Sequence, residues 1–325
     1  MVISEPQKKQ QSWNPSKETK LILSRREQWR ANRSQMEHSK IRVRLKGYLD
    51  VKKFNLFKFL VGIGGFFFKV LGIEPIGIKL AKDLEVTDHH LSYKNLPRAF
   101  DGYRILHLTD LHLEKLPGIH HEIIKRIENE KFDLLVFTGD YQDGYSEVVT
   151  EAMQMLREIV DSVRPRDGII GTLGNHDVHE LAPIIEAMGV QLLINESIRI
   201  DRGNESIHIT GLDDVHYFYN EMSKQAMEFP IEGWKLALVH SPEAYEMAAE
   251  NGYSLYLNGH THGGQICLPG RIPVFTHSDV PRKYASGIWK KDQLIGYSNR
   301  GAGTTTLPMR FFCPGEVAFF TLHCE

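Results

Sequence analysis

Cysteine is scarce. Cys267, Cys313 and Cys324 are the three in 325 residues, and no two of them form a CxxC pair. A set this sparse and odd in number excludes a disulfide framework and fits a reducing compartment. It also removes the thiolates from which structural zinc knots are built. Long uninterrupted apolar runs are absent too. The most apolar stretch, Phe54 to Gly72 (FNLFKFLVGIGGFFFKVLG), is broken by Lys58 and Lys69, and its clean run from Phe59 to Phe68 has ten residues. A run that short does not cross a hydrocarbon core of about 30 Å. Gly62, Gly64 and Gly65 weaken it further as a helix. Export by the twin-arginine route is not expected either: Arg25-Arg26 resembles such a signal, but the apolar segment starts far downstream and no Ala-x-Ala site ends it. Internal repeats and low-complexity tracts are lacking.

Net charge is small, −2, but it is unevenly placed. Residues 1–53 carry fourteen Lys/Arg against five Asp/Glu, a net of +9, which leaves −11 for residues 54–325. A basic arm on an acidic body suits either contact with a phosphate-rich surface or a solvated tail. The arm (1–53) and the apolar segment (54–73) together read as a unit lying in a membrane interface. Phenylalanines dip in, lysines snorkel, and the arm meets anionic lipid. The competing readings of the segment are a packed core helix and a membrane span.

Residues 84–325 read as one globular domain. Strand patterns at Leu84–Tyr93, Tyr103–Leu108, Phe132–Thr138 and Gly168–Leu173 alternate with amphipathic helices, and strands dominate later. Phe132–Thr138 is nearly all apolar, as in a strand buried on both faces. The expected fold class is α/β, a two-sheet β-sandwich core flanked by helices.

The clear strands stop on polar clusters of one chemical character: Asp110-Leu111-His112, Gly139-Asp140 with Asp143 beyond, Gly174-Asn175-His176-Asp177, His240, and Gly259-His260-Thr261-His262. Ligands in open α/β sheets sit beyond the carboxyl ends of strands. Helix caps account for an isolated Asp or Asn, not for such a series. Asp110, His112, Asp140, Asn175, His240, His260 and His262 make seven candidate metal ligands. That is too many for one ion and suits two divalent ions sharing a carboxylate. Oxygen and imidazole donors without thiolate suit Mn, Fe or Zn, with Mn favoured. Asp143 reads as a residue orienting a ligand or as a surface turn before Gly144. Arg310 reads as a phosphate contact or a surface cation. His89, His90, His120, His121, His208 and His216 fit no motif and read as surface or capped residues. Asp213-Asp214 reads as a turn.

The ordered set DxH, GDxxD, GNHD, a later His and GHTH resembles the calcineurin-like metallophosphoesterase superfamily over about residues 84–325. The stretches LSYKNLPRAFDGYRILHLTDLHLEK, GHTHGGQICLPG and GAGTTTLPMRFFCPGEV resemble its bacterial membrane-associated branch. The resemblance implies that Asp110, His112 and His262 hold one metal, Asn175, His240 and His260 the other, and that Asp140 bridges them. It implies His176 as the acid near the leaving group, steadied by Asp177. Two cations clamp a phosphate and activate a water for in-line attack, so the implied activity is hydrolysis of a phosphoester or pyrophosphate bond. With the basic arm and apolar segment, the expected partners are a lipid-linked phosphate and a membrane surface, at the cytoplasmic face of the inner membrane, with no nucleic acid. One candidate within the branch is hydrolysis of UDP-2,3-diacylglucosamine to UMP and a lipid monosaccharide phosphate, as by the chlamydial-type diphosphatase of lipid A synthesis. Alternatives are a cyclic-nucleotide phosphodiesterase, a phospholipid head-group phosphatase, and a non-catalytic binding scaffold.

Overall fold

The computed structural model describes residues 17–39, 42–45, 47–48, 62–276 and 278–325. The rest of the basic arm and the first part of the apolar segment, residues 54–61, lie outside the described residues. Helix α1 (Lys17–Ser39) comes first, then a ribbon of β1 (Val43–Arg44) and β2 (Gly47–Tyr48). Residues 62–70 form helix α2, and α3 (Glu74–Lys82) follows.

The first half of the domain is β3 (Glu85–Tyr93), β4 (Tyr103–Leu108), α4 (Ile119–Ile127) and β5 (Leu134–Thr138). It continues with α5 (Thr150–Asp161), β6 (Ile169–Thr172), α6 (Leu181–Glu186) and β7 (Val190–Leu192). The second half begins with β8 (Glu196–Arg202), β9 (Glu205–Gly211), α7 (Glu221–Glu228) and β10 (Lys235–Leu238). Then come α8 (Tyr245–Glu250), β11 (Leu255–Asn258) and a ribbon of β12 (Cys267–Leu268) and β13 (Ile272–Pro273). The chain ends with β14 (Gly287–Lys291), β15 (Leu294–Ser298) and β16 (Glu316–Cys324).

Two six-stranded sheets result, in the orders β3-β16-β4-β5-β6-β7 and β14-β15-β11-β10-β9-β8. β4 to β7 run parallel, as do β9, β10, β11 and β15, so their carboxyl ends fall along one edge of each sheet. Period-two alternation splits every central strand between two cores. On β5, Leu134 and Val136 join Ile105, Trp234, Leu236, Leu257 and Phe320 between the sheets. Leu135 and Phe137 instead face α4 and α5, meeting Ile119, Ile123, Ile127 and Leu156. On the other sheet Ala237, Val239 and Tyr256 pack against Met227 of α7 and Ala248 of α8. The α/β sandwich with helices on both outer faces is thus the observed architecture.

The structure differs from the sequence reading at the arm. α1 is no solvated tail: Trp29 and Arg33 are only 3% and 1% exposed. They are buried by polar pairing, Trp29 Nε1 donating to Asp213 at 2.7 Å and Arg33 forming a salt bridge with the same carboxylate. Asp213 is buried for that reason, while Asp214 closes the turn the sequence suggests, accepting the His216 and Tyr217 N–H groups at 3.1 and 2.7 Å. On α2, Phe68 turns inward and stacks on Phe311 with centroids 5.4 Å apart. Phe66, Phe67, Val70 and Leu71 remain exposed. Among the described residues no helix is long and apolar enough to cross a membrane.

The cores make different demands from the surface of α2. Phe320→Ala is expected to lower unfolding free energy by about 3–5 kcal/mol, and Phe67→Ala to change it by less than about 0.5 kcal/mol. Urea titrations of the two variants, followed by far-UV circular dichroism, check the contrast.

Candidate metal centre

The seven candidate ligands converge on the edge where the two sheets meet, and all are buried. Strand ends deliver them, but a strand continued in β geometry would carry them past. Asp110, His112, Asp140, His260 and His262 all have left-handed backbones, with φ of 50°, 39°, 56°, 71° and 50°. L residues visit this region at a cost of about 1–3 kcal/mol each, so the surrounding bonds must fix it. The Asp110 carboxylate does so directly, accepting the His260 N–H at 3.0 and 2.9 Å. Asp140 Oδ1 likewise accepts the His176 N–H at 2.9 Å. Gly259 and Gly174 permit these approaches: an added Cβ would clash with Asp110 Oδ2 at the first and Asp140 Oδ1 at the second.

The donor atoms form two adjoining groups. In one, His112 Nε2 lies 3.2 Å from His262 Nε2, and His262 Nε2 lies 3.2 Å from Asp110 Oδ1. In the other, Asn175 Oδ1 is 3.0 Å from His240 Nε2 and 2.8 Å from His260 Nδ1. Asp140 Oδ2 lies between, 3.5 Å from His112 Nε2 and 3.2 Å from His240 Nε2. Two ligand atoms each about 2.1 Å from one ion, at right angles, stand about 3 Å apart. Asp110, His112 and His262 could therefore hold one ion, and Asp110, Asp140 and His240 form a second such group.

His240 supplies the sharpest test of fit. Its Nδ1 faces the Thr138 carbonyl at 2.7 Å, an acceptor, so Nδ1 carries a hydrogen. A neutral ring then turns the bare Nε2 lone pair toward two oxygens, Asn175 Oδ1 and Asp140 Oδ2. Only a proton or a cation makes that contact favourable. The charges agree: burial lowers the His240 pKa, but Asp140, with Asp110 and Asp214, outweighs it and raises it well above the ordinary value. Burial raises the Asp140 pKa, but the imidazoles of His240, His176 and His112 hold it well below the carboxylate range. His112, for which burial dominates, falls to about 4 and keeps a free lone pair at neutral pH. The residues fit divalent cations.

Around this centre the structure corrects two assignments. Asp177 does not steady the His176 ring; its carboxylate accepts the backbone N–H groups of Gly174, Asp140 and Tyr141 at 2.7, 2.8 and 3.0 Å. A carboxylate buried among unpaired amides satisfies them first, and Asp177 thereby locks the β5 and β6 loops together. Asp143 takes the place at the ring, with Oδ1 3.6 Å from His176 Nδ1 and 3.3 Å from His112 Nδ1. Arg310 is neither a surface cation nor a phosphate contact. Fully buried, it donates to the carbonyls of Arg300, Gly301, Gly303 and His262 at 2.6, 3.0, 2.7 and 3.3 Å.

Two residues were not found by sequence reasoning. Tyr145 places its hydroxyl 2.7 Å from His176 Nε2. His216, read as a surface histidine, is buried with its ring 4.1 Å from that of His260. Only the short distance of Tyr145 from the GDxxD motif hinted at the first, and nothing hinted at the second. The centre opens into a cavity of about 590 Å³ lined by Asp140, Asn175, His176, His260 and His262 at its floor.

Asp140→Ala and His260→Ala are expected to abolish phosphoester turnover while circular dichroism stays native. Gly259→Ala should displace the Asp110 carboxylate and weaken metal retention by roughly 10- to 100-fold, measured as bound metal per chain after dialysis.

Residues 103–264 match the calcineurin-like phosphoesterase family. An uncharacterized metallophosphoesterase of Bacillus subtilis (strain 168), YkuE, is 30% identical over 251 residues, covering 74% of this chain and 85% of that protein. A second from the same organism, YkoQ, is 27% identical over 73% of this chain and 90% of that protein. A Danio rerio protein described as a transmembrane protein with metallophosphoesterase domain is 24% identical, over 75% of this chain and 59% of its own length. The matched residues contain the whole set of strand-end clusters, and the chain belongs to the calcineurin-like phosphoesterase family.

Proposed function

We propose that this protein is a two-metal phosphoester or pyrophosphate hydrolase whose substrate carries an apolar tail and is met at a membrane surface. The observation that carries the substrate class is the shape of the cavity. Its floor is the metal centre, but its outer walls are Phe68, Ile266, Val274, Leu307 and Phe311. Beyond them the rim exposes Leu268, Phe275 and Phe312, and Phe66 and Phe67 of α2 are exposed as well. A soluble cyclic nucleotide offers such a groove little to bury, and each buried methylene contributes about 0.8 kcal/mol.

In this reading Asp110, His112 and His262 hold one divalent ion, Asn175, His240 and His260 the other, and Asp140 reaches both; Mn²⁺ suits the oxygen and imidazole donors. When bound, the ions supply Lewis-acid clamping of the phosphoryl oxygens and acidify a water. The chain's own residues do the rest. His176 lines the cavity, its Nδ1 donates to the Asp143 carbonyl at 3.1 Å, and Nε2 is the atom that exchanges a proton with the leaving oxygen. The Tyr145 hydroxyl, kept protonated by burial, holds that nitrogen at 2.7 Å until the leaving oxygen takes its place. The apolar walls bind the tail and exclude water.

UDP-2,3-diacylglucosamine, a pyrophosphate with two acyl chains, is the specific candidate. Hydrolysis at the cytoplasmic face of the inner membrane fits the basic residues of the arm, and the transmembrane description of the Danio rerio relative accords with a membrane setting. The test compares kcat/KM for that lipid, for shorter-chain analogues, for a cyclic nucleotide and for a soluble aryl phosphodiester. Turnover should rise with chain length, by up to about fourfold per buried methylene, and Leu307→Asp should cut lipid turnover more than soluble turnover. A preference for cyclic nucleotides with no gain from acyl length would overturn the substrate class. Failure to bind metal or turn over any ester would favour a binding scaffold.

A further inference from the structure

Helix α1 and residues 42–44 touch the metal centre's supports at two places, and they lie outside the residues that match the family, which begin at Tyr103. The first contact is made by α1. Arg33 Nη2 donates to the carbonyls of Gly174 at 3.0 Å and Asp177 at 2.6 Å, the residues immediately flanking Asn175 and His176. The same guanidinium is salt-bridged to Asp213 and, through Nε, to Glu37 at 2.9 Å. Glu37 in turn accepts the His179 backbone N–H at 3.0 Å and pairs with His179 Nδ1 at 2.6 Å. The loop from Gly174 to His179 is thus pinned along its length by one face of α1.

The second contact follows the helix. Val43 pairs with the segment after β9, its N–H donating to Tyr217 O at 2.8 Å and its carbonyl accepting from Tyr219 at 3.1 Å. This register sets Arg44 Nη2 3.0 Å from His216 Nε2 and Arg44 Nη1 2.7 Å from Asp279. His216, held on its other nitrogen by Glu243 at 2.8 Å, packs its ring against His260.

Both contacts lead to the same side of the centre. Asn175 and His260 belong to the group completed by His240, whereas Asp110 and His262 of the other group are held from the loop after β15, Gly303 N–H donating to the Asp110 carbonyl at 2.8 Å and Arg310 to the His262 carbonyl at 3.3 Å. A guanidinium is a rigid fork, and two carbonyls held by one fork lose much of their freedom. Ligands ordered before the ion arrives bind it with less loss of entropy.

We propose that α1 and residues 42–44 form a brace that preorganises one of the two ion positions, the one served by Asn175, His240 and His260, with Arg33 and Arg44 as its positioning residues. The proposal rests on the two-metal reading above.

The test uses the full chain stripped of metal and titrated with Mn²⁺ by calorimetry, for wild type, Arg33→Lys, Arg33→Ala and Arg44→Ala. Wild type should take two ions. In each variant one ion should bind roughly 10- to 100-fold more weakly while the other keeps its affinity. Arg33→Lys, which retains the charge beside Asp213 without the fork, should fall between wild type and alanine. Amide hydrogen exchange of the metal-free proteins is the second readout: residues 174–179 should exchange faster in the Arg33 variants and residues 259–262 in Arg44→Ala. Should Arg33→Ala not fold, Arg33→Lys and Arg44→Ala carry the test. Two ions bound with wild-type affinity and unchanged exchange in these variants would overturn the brace. A wild type that binds no Mn²⁺ would instead overturn the two-metal reading, and the exchange rates then decide on the brace alone.

Discussion

One hydrogen bond constrains the centre more than any other. Because the Thr138 carbonyl claims the Nδ1 hydrogen of His240, Nε2 faces the oxygens of Asn175 and Asp140 and needs a proton or a cation between them. An acceptor facing acceptors in a buried site is unstable unless something positive lies between them. The sandwich supplies what holds this arrangement in place. Parallel strands bring the ligand loops to one edge, left-handed turns direct five of the ligands inward, and Asp177 and Arg310 satisfy the backbone groups that the turns leave over. Much of the stability of the fold at this edge is therefore spent on holding an electrostatically unfavourable cluster together.

What the sequence disclosed follows from this. Strands buried on both faces announce themselves by composition, and a ligand series at their ends is visible because the chemistry permits few residue types. Edge strands were harder: β8 alternates half-buried and exposed residues, β14 buries Trp289 alone, and neither carries an apolar run. The docking of α1 was not legible at all. The helix lacks an apolar stripe, and it is anchored by Trp29, Arg33 and Glu37 through partners on two distant loops. Arginines that read as a basic tail are, in part, internal ties. Asp177 and Arg310 were misread for a related reason. Sequence motifs suggest partners among side chains, whereas both residues serve backbone amides and carbonyls.

The centre and the groove divide the work of recognition. The floor is polar and rigid, set by strand ends; the outer wall is apolar and is built from α2 and the loops before and after β12, β13 and β15. Binding energy gathered along such a wall, remote from the reacting bond, can be used to seat the phosphate against the ions. Phe68 and Phe311, stacked across the joint between α2 and the late loop, tie the wall to the loop that Arg310 fastens to His262.

The position of β16 has a consequence for how the protein is made. It lies between β3 and β4, parallel to the first and antiparallel to the second, although Glu316 is synthesised only after the whole second sheet. Until then β3 and β4 have no rung between them, and Leu91 and Ile105 lack Phe320 beside them. A nascent chain in this state presents two unpaired strand edges to its surroundings. Emergence of β16 from the ribosome is then the step that closes the first sheet, long after the two strands it joins have been made.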